Sequence, residues 1–130
     1  MGTYILRGEQ RRQIARSRLF NIDNGAGATV DDVVLCHSQR VRLLAARIVY
    51  TTENAGTVAG ATIRIGTVVA GTQIAGSTAY TNAATVGGAT PVALAQTDIP
   101  ANTPVIVRHT GIAATAAGEA YVEIEYEVAA

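Results

Sequence analysis

The stretch Ala120-Tyr121-Val122-Glu123-Ile124-Glu125-Tyr126-Glu127-Val128 alternates apolar and acidic side chains along its length. Successive residues of a β-strand point to opposite faces of the sheet. One face of this strand therefore carries the valine and isoleucine side chains with Tyr126, and the other carries the three glutamates. This pattern predicts a half-buried strand whose apolar face covers a core.

Similar runs occur along most of the chain. Val, Ile and Thr, whose branched side chains suit a pleated and half-buried surface, make up 41 of the 130 residues. Clusters of Gly, Pro and Asn separate the runs, and no helical pattern of ten residues lies between them. The chain is therefore predicted to be all-β, an antiparallel β-sandwich or jelly roll of about seven or eight strands. Besides residues 120–128, the predicted strands are residues 33–36, 41–51, 61–67, 68–74, 78–80, 90–94 and 104–110.

The first 22 residues differ from the rest. Their apolar side chains lie among arginines, without the alternation of a strand. We expect residues 1–22 to form a basic N-terminal arm, either extended or a short helix, and residues 23–130 to form the β-sandwich domain. No run of about 18 apolar residues is present, and the amino terminus lacks the apolar core of a signal peptide, so we expect cytoplasmic synthesis and no membrane partner.

Charged residues are concentrated near the two ends of the chain. Residues 1–18 carry five Arg and one Glu, and residues 119–127 carry four Glu and no base. The 65 residues from 54 to 118 hold only Arg64, Asp98 and Arg108. Small soluble domains ordinarily carry many surface charges of both signs. Two compatible explanations fit this stretch: an assembly covers its surfaces, or the composition favours Ala and Gly while Thr and Asn supply solubility.

No residue pattern identifies a chemical reaction. Cys36 and His37 would point to opposite faces of a strand, so we expect a buried Cys36 and a His37 that is exposed or in a loop. One Cys and two His cannot supply the four ligands of a structural zinc. The chain has no Lys and no glycine spacing of a phosphate-binding loop, and its formal net charge of zero argues against a general nucleic-acid binder. We therefore predict a protein that is not an enzyme, with no metal, cofactor or nucleic-acid partner.

The amino-terminal arginines form a cluster with an interpretable partner. Guanidinium groups bind carboxylates through paired hydrogen bonds, so this cluster favours an acidic protein surface, either that of a partner or the glutamate strip of a neighbouring subunit. A solvated arm without a partner is the alternative. The glutamates of residues 120–128 are about 6.8 Å apart along one strand, which suits a solvated or arginine-paired strip and not a catalytic pair. The candidate interface residues of this cluster are Arg7, Arg11, Arg12, Arg16 and Arg18.

Three segments carry a resemblance to a known family. They are Ala-Thr-Ile-Arg-Ile-Gly-Thr at residues 61–67 with the Gly-Thr turns that follow, Ile-Pro-Ala-Asn-Thr-Pro-Val-Ile-Val at residues 99–107, and Ala-Gly-Glu-Ala-Tyr-Val-Glu-Ile-Glu-Tyr at residues 117–126. Their general residue pattern resembles that of the auxiliary head proteins of tailed bacteriophages, which are also called decoration or cement proteins. The similarity covers roughly residues 30–130.

The resemblance implies a structural virion protein that binds the outer surface of a bacteriophage capsid as a homotrimer. Its partner would be the major capsid protein, its work would be to stabilise the shell, and it would be made in the host cytoplasm. In that family an extended terminus often reaches over neighbouring capsid subunits. Residues 7–18 would be the matching element here.

Two other functions stay open. A receptor- or carbohydrate-binding β domain of a phage tail or fibre protein would also be a trimeric β domain, although five Tyr and one Phe provide few aromatic platforms for sugars. A small jelly-roll enzyme of the cupin type would need clustered histidine ligands. The two histidines, His37 and His109, lie far apart in the sequence.

Overall fold

Ten strands form two antiparallel sheets in the computed structural model, which describes residues 12–113 and 116–129. Sheet A has the order β1-β10-β4-β7, with β2 beside β10 and β8 beside β4, and sheet B has the order β3-β9-β5-β6. The strands are β1 (Arg12–Arg16), β2 (Phe20–Asn21), β3 (Thr29–Leu35), β4 (Val41–Tyr50), β5 (Thr62–Gly66), β6 (Ala75–Ala79), β7 (Ala89–Val92), β8 (Asp98–Ile99), β9 (Val105–Thr110) and β10 (Glu119–Val128).

The strand pairs are nested along the chain. β1 pairs with β10, β3 with β9, β4 with β7, and β5 with β6. One long hairpin folded over into two sheets gives this nesting, and it is the arrangement of a jelly roll. The predicted fold class is confirmed, and the strands that were not predicted are β1 in the amino-terminal segment and the two-residue strands β2 and β8.

β1 and β2 together form one edge strand along β10. From Arg16 to Phe20 the edge advances four residues while its partners on β10 advance three, so the edge carries one extra residue. Ser17 lies in this irregularity, where its backbone N–H donates to the Val122 carbonyl oxygen at 2.9 Å and its hydroxyl accepts from the Val122 N–H at 2.8 Å. Phe20 is buried in the core. The described part of the predicted arm is therefore extended and belongs to sheet A.

β4 changes its buried face part-way along its length. The sequence pattern placed Leu44 on the same face as Ile48, but the pairing of β4 with β10 shifts by one residue between Leu43 and Ala45. Leu43 and Ile48 are both buried, whereas Leu44 is only partly buried. The bulge lets both halves of an apolar strand contribute to one core.

Two local predictions were wrong. Residues 68–74 form a turn-rich loop and not a strand, with Ala70 at a φ of 63° and a backbone hydrogen bond from Gly71 N–H to the Val68 carbonyl oxygen. β3 begins four residues earlier than expected and ends before Cys36. Cys36 is therefore exposed and not buried as the sequence predicted.

The core lies between the two sheets. Side chains from both inner faces and from the connecting loops fill it, and aliphatic residues dominate. The large side chains that are almost completely buried are Phe20, Ile22, Leu43, Ile48, Tyr50, Ile63, Ile65, Ile74, Tyr80, Ile99, His109 and Ile124. This packing fixes the positions of both outer faces, which carry the charged residues discussed below.

Candidate functional site: the outer face of sheet A

Three of the five predicted interface arginines lie within the described residues. Arg12 and Arg16 are at the two ends of β1, and Arg18 lies in the segment between β1 and β2. Arg7 and Arg11 lie outside the described residues. The antiparallel register places Arg12 opposite Glu127 and Arg16 opposite Glu123, so the basic edge strand runs along the acidic strip of its own chain.

Glu123 is the most enclosed acid of this strip, with only 8% of its surface exposed. It accepts a hydrogen bond from Arg16 Nε at 3.0 Å on one side and from Arg47 Nη1 of β4 at 2.7 Å on the other. A carboxylate removed from water is stable only when it is paired and hydrogen-bonded, and two guanidinium groups supply this here. The three side chains hold β1, β10 and β4 together across the outer face of sheet A.

The ion pairs continue along the face with longer or more exposed contacts. Arg12 Nε lies 3.1 Å from Glu125 Oε1, and Arg42 Nη1 lies 3.5 Å from Glu127 Oε1. Arg47 Nη2 also lies 3.5 Å from Glu125. The expectation that the glutamates form an arginine-paired strip is confirmed, with partners from the same chain. The sequence did not reveal Arg42 and Arg47 as partners, because only the pairing of β4 with β10 brings them beside the strip.

Part of this outer face stays exposed and is accessible to another protein. The side chains of Arg12 and Arg16 are 67% and 60% exposed although both form ion pairs. Between them Ile14 is 55% exposed. Arg16 also stacks over the Tyr121 ring, with its guanidinium carbon 5.6 Å from the ring centroid. Arg12 and Arg16 therefore flank an exposed apolar side chain on the edge strand of this face.

Arg18 differs from the other two described candidates. Its backbone N–H donates to Asp32 Oδ2 at 2.7 Å, which ties the segment to β3. Its side chain is exposed, and among the described residues it forms no ion pair. Since the side chain is free, Arg18 is available to an acidic partner surface at little cost to the fold.

A pocket of about 270 Å³ opens at the end of the sandwich where β4 meets β7. Its polar side chains are those of Asn82 and of several hydroxyl-bearing residues. The Tyr50 hydroxyl lies 2.6 Å from Thr90 Oγ1 and accepts a hydrogen bond from the Thr81 backbone N–H at 2.8 Å. The remaining lining comes mainly from the loop before β7, including Ala84 and Gly88. The Tyr50 ring is itself buried, so the pocket presents hydroxyl groups and no aromatic platform.

His109 on β9 is completely buried. Its Nδ1 lies 2.7 Å from the Tyr80 hydroxyl, its Nε2 lies 3.1 Å from Asn24 Oδ1, and its ring stacks on Phe20 at 5.3 Å between centroids. The Asn24 oxygen can only accept, so Nε2 carries the proton and Nδ1 accepts from Tyr80. Burial lowers the pKa of His109 to about 4, and burial together with the nearby Tyr50 raises the pKa of Tyr80 well above its usual range. This neutral imidazole links the edge strand to sheet B.

Nothing in the described part of the chain gathers the ligands of a metal centre. Residues 12–113 and 116–129 contain no group of three or more His, Cys, Asp or Glu side chains that could hold a metal ion. His37 lies in a loop, as expected, and its Nδ1 accepts a hydrogen bond from the Gln39 N–H. In the same residues, no helix has both the length and the apolar character needed to cross a membrane.

The chain is similar in fold to a chain of the cyanophage Pam1 capsid asymmetric unit. The superposition has a TM-score of 0.61 and 15% sequence identity, and it covers 91% of this chain and 85% of the other. The likeness therefore extends over almost the whole jelly roll and is one of fold. No protein-family model and no curated protein sequence matches the chain.

Proposed function

We propose that this protein is a structural component of a bacteriophage virion, bound to the outer surface of the capsid as a homotrimer that stabilises the shell. The observation that carries the proposal is the jelly-roll likeness to a chain of a cyanophage capsid over 91% of the sequence. The resemblance of residues 61–67, 99–107 and 117–126 to phage decoration proteins supports it independently. The protein acts by binding and not by catalysis.

The proposed capsid contact is the edge of the outer face of sheet A that β1 and the segment after it form. Arg12 and Arg16 retain exposed guanidinium groups next to the exposed side chain of Ile14, and the Arg18 side chain is unpaired among the described residues. An apolar centre with an arginine rim suits a partner surface that presents carboxylates around a small apolar patch. Arg7 and Arg11 would extend this surface toward neighbouring capsid subunits.

The proposal is tested with the purified chain and empty capsids of the phage whose genome encodes it. Capsids are incubated with the protein, sedimented, and examined for bound protein and for the temperature at which they rupture. We expect bound trimers and a higher rupture temperature. Absence of the protein from the capsid pellet at micromolar concentration would refute the proposal.

Two variants test the arginines separately from the fold. Removing residues 1–11 leaves β1 intact, and Arg18→Gln removes one exposed charge, so both variants should fold normally and bind capsids more weakly. Arg40→Gln is the matched control. Arg40 lies just before β4 and is also exposed, but it pairs with Asp98 of β8 and is not part of the β1 edge. Unchanged capsid occupancy of both test variants would exclude the arginines while leaving the capsid role in place.

The hydroxyl-lined pocket supports one alternative, a receptor- or carbohydrate-binding domain of a tail or fibre protein. The Thr90 hydroxyl lies within hydrogen-bonding distance of the Tyr50 hydroxyl and of the Thr81 hydroxyl there, and such groups can bind sugar hydroxyls. A glycan array distinguishes the two functions. Specific glycan binding that Thr90→Val abolishes, together with no capsid binding, would favour the alternative.

A further inference from the structure

The outer face of sheet B is poor in charge, in contrast to that of sheet A. Three of its four strands, β5, β6 and β9, come from the stretch of residues 54–118 that holds three charged residues. Thr, Gly and aliphatic side chains make up most of this face, and among them Val33 is 56% exposed. A sheet face with few charges is a suitable protein contact surface.

Three charged residues form one row across the face. Asp31 lies opposite Arg108 in the pairing of β3 with β9, and Arg108 lies opposite Arg64 in the pairing of β9 with β5. Asp31 accepts from Arg108 Nε at 2.8 Å and from Nη2 at 2.9 Å, so both of its carboxylate oxygens are engaged. These hydrogen bonds lower the pKa of Asp31. Arg64 thus has a second arginine as its cross-strand neighbour and no remaining carboxylate.

Arg64 is unusual among the described arginines. Its Nε is shielded from solvent and has no hydrogen-bond partner within the described residues. Apart from Arg18, which is exposed and can be hydrated, the other described arginines all form ion pairs. A buried Nε without an acceptor and a like charge across the strand pair both cost free energy, so an acceptor from another chain would stabilise Arg64.

The chain also has an acidic residue, Glu53, that lacks a basic partner among the described residues. Glu53 is exposed in the loop that follows β4, and among the described residues it makes no ion pair or side-chain hydrogen bond. Its neighbours Asn54, Ala55, Gly56 and Thr57 are uncharged. Asp31 and Asp98, the other exposed acids in the described ranges, are already paired with arginines. The formal net charge of zero also means that two copies do not repel each other overall.

We propose that the outer face of sheet B packs against a second copy of this chain, and that Glu53 of the partner subunit pairs with Arg64. The two contacting surfaces are different, so the contact is of the head-to-tail kind, which forms a ring such as a trimer when the rotation between neighbouring subunits closes. The inference deepens the homotrimer part of the proposed function. It does not depend on the capsid.

Charge reversal in the purified full-length chain tests the pair. Native mass spectrometry and sedimentation velocity give the oligomeric state and its dissociation constant for the wild type, Arg64→Glu, Glu53→Arg and the double variant. Each single reversal should raise the dissociation constant roughly 30-fold or more, because it places like charges in a desolvated contact. The double variant should recover most of the wild-type affinity. Arg40→Glu, which reverses an exposed arginine outside sheet B and outside the proposed capsid contact, should leave self-association unchanged.

Several outcomes would overturn the inference. These are an oligomer that Arg64→Glu leaves intact, a double variant as weak as the single ones, or an equal loss in Arg40→Glu. Circular dichroism checks that each variant is folded, and Arg64→Met, which removes the charge but keeps an unbranched apolar side chain, replaces Arg64→Glu if that variant fails to fold. A wild-type monomer would overturn both this contact and the homotrimer, whereas capsid sedimentation tests the capsid role independently.

Discussion

Lowering the pH from 7 to 4 should destabilise the fold through His109. In the native state this imidazole is completely buried between Phe20, Tyr80 and Asn24, and no acidic side chain of residues 12–113 or 116–129 is hydrogen-bonded to it. Burial disfavours the imidazolium form and lowers the pKa of His109 to about 4. In the unfolded chain the same group has a pKa of about 6.5.

The sign follows from proton uptake by the two states. Between pH 6.5 and pH 4 the unfolded chain binds a proton at this position and the native chain does not, so the free energy of unfolding decreases as the pH falls. The stabilisation is complete above pH 6.5, and the decrease levels off below about pH 4. The difference between the two pKa values corresponds to about 3 kcal/mol in total. The Asp31 carboxyl, whose pKa lies below its ordinary value, acts at lower pH.

Urea unfolding at intervals between pH 4 and pH 8, for the wild type and His109→Gln, measures this decrease. The variant cannot take up the proton, so subtracting its profile removes the contributions of other groups. We expect the difference between the two profiles to change by about 3 kcal/mol across this range. Parallel profiles would refute the reasoning. If His109→Gln does not fold, an NMR titration of the wild-type imidazole measures the pKa of His109 directly. A value near 6.5 would likewise refute the reasoning.

Two further predictions concern packing and the ion pairs of sheet A. Gly66→Ala should destabilise the fold by roughly 1–3 kcal/mol, because a β-carbon there would lie 2.5 Å from the Gly71 backbone, whereas Gly76→Ala on the neighbouring strand meets nothing within 4 Å and should cost less than about 1 kcal/mol. Thermal melts of both variants check this, and equal losses would contradict it. Arg47→Met should cost roughly 1–3 kcal/mol in urea unfolding, because it removes one of the two partners of the buried Glu123. Arg42→Met, which breaks an exposed and longer ion pair, should cost less than about 1 kcal/mol, and a larger loss than in Arg47→Met would show that burial is not the deciding factor.

The strands with regular alternation could be predicted from the sequence. β10 and β9 occur within a residue of the predicted bounds, because each has one apolar face and the period of two directly sets which side chains are buried. The loop at residues 68–74 shows the limit of this reasoning, because β-branched residues there suggested a strand. The turn at Ala70 and Gly71, with its backbone hydrogen bond to Val68, outweighs the β propensity of these residues.

The candidate site was only partly predictable. The sequence showed a basic segment and an acidic strip, and it indicated that arginine would pair with glutamate. It suggested a neighbouring subunit as one possible source of the acids, whereas the pairing of β1 with β10 brings Arg16 and Glu123 together across 107 residues of the same chain. The role of Arg47 was hidden, because a residue's neighbours across a sheet depend on strand order, which local periodicity does not contain.

The sequence by itself determined the fold class and the place of the charges along the chain, since composition and a two-residue period are local properties. Only the tertiary structure decided which charges neutralise one another, which of two histidines is buried, and that Arg64 has no acceptor among the described residues. These depend on strand register and on the order of strands in each sheet, and contacts between residues far apart in the sequence set both.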